Sequence, residues 1–384
     1  MSRNARRLSS WTLAVVSLLV VSVVASPASA AREPLADQHS WVVDRATGHA
    51  FRVAHNTHVG PYASSSPTGL GPATIKSVYS FPTSSTAGAG KTIAIVDAYD
   101  DPNIENDLNV FSQQFGLPVC TSANGCFQKV NQTGGKKYPR TDSGWALEIA
   151  LDVEWAHAIA PGAKILLVEA NTNSFTNLLA AEDYAKTHAQ YVSNSWGGSE
   201  FSGENGYDAH FVQSGVSFFV SSGDAGTPAE YPSASPNVIS VGGTTLNFSK
   251  TGAFTSETGW SSSGGGCSTY ETANSTQSSF SQYSQVKCGG KRATPDVSLD
   301  ADPASGVSVY DSVRYQRQSG WFTVGGTSAS SPMWAARSAV AGAVVNAGYV
   351  YGNSITYRDI TSGNNGASCL VGYDLVTGRG SWVG

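Results

Sequence analysis

The chain has 384 residues and a formal net charge of −5, with 13% of residues charged, so it carries no basic excess to hold nucleic acid. Its length accommodates one large domain or two ordinary ones. Hydrophobic residues make up 40%, enough for a packed core and too many for a largely disordered chain.

Arg3, Arg6 and Arg7 precede an almost unbroken apolar run from Trp11 to Ala25, and Ala28-Ser29-Ala30 follows with a small-x-small pattern. The run is short for a bilayer and ends like a cleavage site, so residues 1–30 read as a secretion signal rather than an anchor. A secreted, extracellular protein is expected, free of the membrane once the signal is removed. Export permits disulfides. Cys120 and Cys126 flank a short loop, and Cys267 and Cys288 bracket a polar, Gln/Ser-rich one. On that reading Cys369 is left over, although pairing is not decided by sequence, and the spacings fit no zinc site.

Residues 31–75 read as a separate N-terminal segment. It holds His39, His49, His55, His58 and a Ser/Pro/Gly stretch from Ser64 to Gly69. The histidines could share a metal, but solvated side chains in a loosely ordered segment account for them more simply.

From about residue 90 strands and helices alternate. Lys91–Asp97 is a short apolar run ending in Asp97. Ser143–Ile159 has helical periodicity and stops at Pro161-Gly162. Ala163–Ala170 is strand-like, Phe175–Gln190 helical, and Tyr191–Gly198 a strand running into a glycine turn. Val216–Ser222 and Val238–Gly243 are further strands. Apolar strands without strict alternation, separated by helices, imply an α/β fold with a mostly parallel sheet covered on both faces. Ligands of such sheets bind beyond the carboxyl ends of strands, where Asn194, Asp224 and Ser328 fall.

The segment Gly325-Gly326-Thr327-Ser328-Ala329-Ser330-Ser331-Pro332 precedes an apolar, alanine-rich stretch that reads as a buried helix. It lifts a serine hydroxyl to a helix start, where free N–H groups favour an oxyanion. A nucleophilic serine also needs a base. No His-Gly pair occurs, and His157, His188 and His210 lack glycine-flanked contexts; His157 reads as a packing or surface residue. Glu148 and Asp152, four apart on one helical face among apolar neighbours, are better placed. Two such carboxylates repel and lose hydration when both ionise, so they should share a proton and titrate as a unit. Glu154 fits a solvated acidic face instead.

The Glu148-x-x-x-Asp152 helix, Asp224 after a later strand and Ser328 in a GTSxxxP loop together resemble the sedolisin family of serine-carboxyl peptidases, which have a subtilisin-like three-layer fold. The likeness covers about residues 75–384, so 76–384 is expected to be one peptidase domain. It implies Glu148 as general base, Asp152 orienting it, Ser328 as nucleophile and Asp224 in the oxyanion hole, where an aspartic acid donates only when protonated. It implies a secreted endopeptidase of protein or peptide substrates, favouring acidic pH and monomeric. The family also binds one structural calcium ion through an Asp-Ile pair and a later Gly-Tyr-Asp, matched here by Asp359, Ile360, Gly372 and Asp374, with Leu370 standing where the family often has glycine. A carbonyl ligand survives that change only where the backbone suits leucine. The family usually carries a long prosegment; residues 31–75 are too short for one, so a missing or vestigial prodomain is expected. Asp97 reads as a turn or substrate-cleft residue. The rival readings are a glycosidase using Glu148 and Asp152, which one helical turn does not easily let straddle a sugar, and a catalytically weak secreted binding module on the same fold.

Overall fold

The alternating strands and helices assemble a single ten-stranded sheet. The computed structural model describes residues 34–43, 50–52 and 63–384; the signal-like stretch, His49, His55 and His58 lie outside the described residues. Strand Thr92–Ala98 sits between Lys164–Ala170 and Tyr191–Asn194. Beyond Tyr191–Asn194 follow Ser217–Ser221, Ile239–Phe248 and Val297–Asp300, and beyond Lys164–Ala170 lies Phe127–Asn131. All these neighbours pair in parallel. Antiparallel partners, Phe254–Gly259 and Tyr357–Arg358, join as hairpin or edge additions.

Strand parity sorts the core. Ile93, Ile95, Ile165 and Leu167 belong to one apolar cluster, while Ala94, Val96, Leu166 and Val168 belong to another. Helices Ser143–Ile159 and Thr327–Ala341 pack together over the first face, and Phe175–Ala185 covers the second. Each fully buried aliphatic side chain here contributes about 2 kcal/mol. Among the described residues no helix is long and apolar enough to cross a membrane. Cys120–Cys126 and Cys267–Cys288 are disulfides, and Cys369 is free and buried.

Helix Ser143–Ile159 starts where the Asp142 carboxylate accepts from Gly144 and Trp145 N–H, an N-cap that leaves the next turn supplied. It is apolar on every side and therefore buried along its length. That overturns the solvated reading of Glu154. Its side chain is fully buried, accepts from the Tyr310 N–H at 3.0 Å, and is held well above the carboxylate range first by burial. Phe175–Ala185 ends five residues before the expected Gln190, because Gln190 already pairs with Thr92 at the start of the sheet.

The N-terminal segment does not stand apart. Asp37–Gln38 pairs with Trp196–Ser199, Trp41–Val43 pairs with Gln318–Gly325, and helix Pro72–Tyr79 runs across the expected boundary at residue 76. His39 is 1% exposed rather than solvated.

Candidate active site

Three elements bring the site together. Helix Thr327–Ala341 begins at Gly326, whose φ of 107° is open to glycine. A Cβ there would lie 2.1 Å from the His39 carbonyl oxygen and 2.7 Å from Asp224 Oδ2, so the two oxygens flank one small volume. Pro332 inside the helix has no N–H to offer the Ser328 carbonyl one turn earlier. The Ser195 hydroxyl takes that place at 3.4 Å, and the Ser328 hydroxyl lies 3.4 Å from the Ser195 carbonyl in return. The nucleophile candidate is thereby tied to the end of strand Tyr191–Asn194. Ser328 N–H points outward and donates to the His39 carbonyl at 3.0 Å.

Asp224 follows strand Ser217–Ser221 and is 2% exposed. Its Oδ1 accepts from Thr327 N–H and Thr327 Oγ1–H, both at 2.8 Å. Its other oxygen is left toward the small volume beside Gly326. The Ser328 N–H and Asp224 Oδ2 thus both lie close to the His39 carbonyl oxygen.

Glu148 and Asp152 are fully buried on helix Ser143–Ile159. Asp97 joins them. It lies within strand Thr92–Ala98 rather than in a turn, and its parity with Ile93 and Ile95 turns it to the face that the helix covers. Neither oxygen of any of the three carboxylates has a well-formed hydrogen bond. The Ser328 and Ser40 hydroxyls beside Glu148 and the Ser195 hydroxyl beside Asp152 stop short of that geometry while still favouring the charged forms. Burial raises Glu148 well above the carboxylate range, with the Asp97 charge adding to it; Asp152 is raised by burial, then by Asp97 and Glu148. Asp97 is pushed up to about 8 by burial. Three like charges so close in a dry site cannot all ionise, so the cluster keeps protons through acidic and neutral pH.

The histidines considered as bases are elsewhere. His157 is buried against the Pro118 carbonyl at 2.9 Å and pushed down to about 4 by burial, which makes it a neutral packing residue. His188 stacks on Tyr184, and His210 bonds Asp183 at 2.9 Å. The Asn194 amide lies 3.5 Å from the Phe219 carbonyl, to which it donates.

Asp359 meets Gly372 near the C-terminus, with Ile360 and Asp374 close by along the chain. Both Asp359 oxygens face the Gly372 N–H, at 3.1 and 3.0 Å, and Asp374 Oδ2 accepts from Leu370 N–H at 3.0 Å. Among the described residues no lysine, arginine or histidine pairs with either carboxylate. The Ile360 and Gly372 carbonyls accept none of the hydrogen bonds made there. Gly372 has φ of 87°, while Leu370 keeps a negative φ that leucine tolerates. Two carboxylates and unpaired carbonyls on one loop are the donor set that suits calcium.

Residues 141–353 match the subtilase family. The chain is 31% identical over 365 residues to kumamolisin from Bacillus sp. (strain MN-32), covering 84% of this chain and 63% of that protein. It is 27% identical over 387 residues to sedolisin from Pseudomonas sp. (strain 101), covering 86% and 62%. It thus spans less than two thirds of the length of these curated relatives. The solved structure of Pseudomonas sedolisin, a serine-carboxyl proteinase complexed with two molecules of pseudo-iodotyrostatin, matches with a TM-score of 0.68 at 28% identity, over 83% of this chain and 96% of that one.

Proposed function

We propose, for a chain that belongs to the sedolisin group of the subtilase family, the hydrolysis of peptide bonds in secreted form and at acidic pH. The observation that carries this reading is that the Ser328 hydroxyl lies beside the buried carboxylate Glu148 while its N–H faces a small volume bordered by Asp224. Ser328 is the nucleophile. Glu148 is the base, because its side chain lies beside the Ser328 hydroxyl whose proton it would take. Asp152 holds Glu148 in place and keeps a proton. Ser328 N–H and a protonated Asp224 stabilise the tetrahedral oxyanion.

Acidic pH suits both halves of this arrangement. As pH rises the cluster loses a second proton, and a deprotonated Asp224 could no longer donate to the developing oxyanion. Asp359, Asp374 and the Ile360 and Gly372 carbonyls would hold one calcium ion, which supplies charge neutralisation and cross-linking of the C-terminal loop, not catalysis.

Ser328→Ala should lower casein or peptide hydrolysis in acidic buffer by about 10⁴-fold or more, as removal of a serine nucleophile does elsewhere. Near wild-type turnover by a folded Ser328→Ala protein, or an alkaline optimum in the wild type, ends this reading.

A further inference from the structure

We infer that Asp101, Asp107, Glu154 and Asp311 form a second cation site, in which four buried carboxylates hold a calcium ion inside the domain. The site shares no residue with the peptidase reading or with the C-terminal loop, so it stands or falls apart from both.

The four side chains come from four segments. Asp101 follows strand Thr92–Ala98, Asp107 lies on helix Ile104–Phe115, Glu154 on helix Ser143–Ile159 and Asp311 on strand Val307–Tyr315. The two helices and strand Val307–Tyr315 pack against one another. All four residues are 0% exposed. One carboxylate oxygen from each of Asp101, Asp107 and Asp311 lies within 4.8 Å of the others. Glu154 joins them from the helix that carries Glu148 and Asp152. Its Oε2 accepts from the N–H of Tyr310, the residue before Asp311, and the charges that act on it are those of Asp107, Asp311 and Asp101.

The chain fixes one oxygen of each carboxylate and leaves the other. Asp101 Oδ1 accepts from Asn103 N–H at 2.8 Å, and Asp311 Oδ1 from Val313 N–H at 2.7 Å. Asp107 Oδ2 accepts from Ser312 N–H at 2.8 Å and from the Ser312 hydroxyl at 2.9 Å. The opposite oxygens, Asp101 Oδ2, Asp311 Oδ2 and Glu154 Oε1, are buried with no hydrogen-bond partner. Asp107 Oδ1 receives only the Asn106 amide, at 3.1 Å. A carboxylate anchored through one oxygen and bare at the other is held as a metal ligand is held.

No cation of the protein answers this charge. Among the described residues no lysine, arginine or histidine forms an ion pair with any of the four. Lys129 directs its ammonium to Asp100, Glu169 and the Asp101 carbonyl instead. Burial raises all four carboxyls above the usual range, and mutual repulsion raises Asp101, Glu154 and Asp311 further. Four unmatched acids in one dry place weaken a fold. A divalent ion turns them into a cross-link between four segments. An all-oxygen donor set selects a hard cation over zinc or copper. Magnesium dehydrates reluctantly and keeps several waters, which a fully buried set of side chains does not favour, so calcium fits best.

The test is equilibrium dialysis of the full chain against calcium at neutral pH, after chelator treatment. The wild type is compared with an Asp101→Asn/Asp311→Asn double variant. Each asparagine keeps an oxygen for the Asn103 or Val313 N–H, so the local backbone is retained. The double variant should bind one calcium fewer per chain, whatever the C-terminal loop holds, and Asp374→Ala should leave this ion in place. Thermal midpoints should cross. In chelator the double variant should melt above the wild type, because two repelling acids are gone, and with calcium it should melt below. Should the double variant not fold, Glu154→Gln, which still accepts from Tyr310 N–H, should weaken calcium binding by about tenfold or more. Equal calcium counts for wild type and double variant, a midpoint difference that is the same in calcium and in chelator, or an affinity unmoved by Glu154→Gln overturns this inference.

Discussion

Two buried acidic centres in this protein have opposite chemistry. Around Asp296 the carboxylate is matched donor by donor. Arg292 reaches it at 2.6 and 2.5 Å, Ser240 N–H donates at 2.7 Å, and the Tyr351 hydroxyl adds another bond. Burial works against the Arg292 charge, but Asp296 more than offsets it and holds the guanidinium protonated. Around Glu148, Asp152 and Asp97 the neighbours are other carboxylates and a few hydroxyls, and no cation is paired with them among the described residues. Burial is the same in both places. The partners decide whether a dry carboxylate becomes a fixed anion or a proton store, and only the second kind can serve as an acid and base.

The largest expected effect separates the two by function. Glu148→Gln should lower peptide hydrolysis by about 10³-fold or more, because an amide cannot take the serine proton, and Asp152→Asn should do less damage. Neither should destabilise the fold, since each removes a potential charge from a repelling cluster. The double variant should cost little more than Glu148→Gln alone, since the two act as a unit. Strictly additive activation free energies would show that they act independently. Asp296→Ala is the converse. It leaves Arg292 buried and uncompensated, and should cost about 3–5 kcal/mol of unfolding free energy in a denaturant titration. A loss below about 1 kcal/mol would erase the distinction between the two centres.

The linkage with pH sharpens it further. Asp97 is raised to about 8 in the fold, against about 3.9 in an unfolded chain. A carboxyl raised in this way binds its proton more tightly when folded. Its contribution is fully present below about pH 4 and is lost as pH climbs through about 8. Wild-type stability should therefore fall across that window, by on the order of 5 kcal/mol from Asp97. Asp97→Asn should flatten the fall while leaving stability near pH 4 almost unchanged. Identical pH profiles for variant and wild type would mean the cluster is not a proton store.

How much of this could be read from the sequence follows the same division. The Glu148/Asp152 spacing and the GTSxxxP loop are local patterns, and local patterns survive folding; helix Ser143–Ile159 has the expected limits. Asp97 was hidden because its role depends on which face of a strand the helix later covers. Parity with Ile93 and Ile95 was the available signal. Glu154 was misread as solvated because a helix without a wet face gives every polar residue a dry address. His39 offered no signal at all. Its place comes from strand pairing between residues far apart in sequence, which no spacing rule encodes.

The smallest effect concerns a third kind of acidic centre. Asp359 and Asp374 are neither paired with a cation among the described residues nor crowded by other carboxylates. They are held by N–H donors of the loop they brace, beside the Ile360 and Gly372 carbonyls, which accept no hydrogen bond among the described residues. If calcium completes this centre, it adds stability by mass action, about 2.7 kcal/mol at a hundredfold excess over the dissociation constant. Chelation at neutral pH, where both carboxylates bind a hard cation best, should lower the thermal midpoint by several degrees, and added calcium should restore it. Asp374→Ala should lower the midpoint by itself and remove the response to chelator. Leu370→Gly should leave that response in place, because a carbonyl ligand depends on the backbone, and Leu370 already keeps a backbone that leucine tolerates. A wild-type midpoint indifferent to both chelator and added calcium would move Asp359 and Asp374 into the first category, carboxylates satisfied by donors of the protein alone.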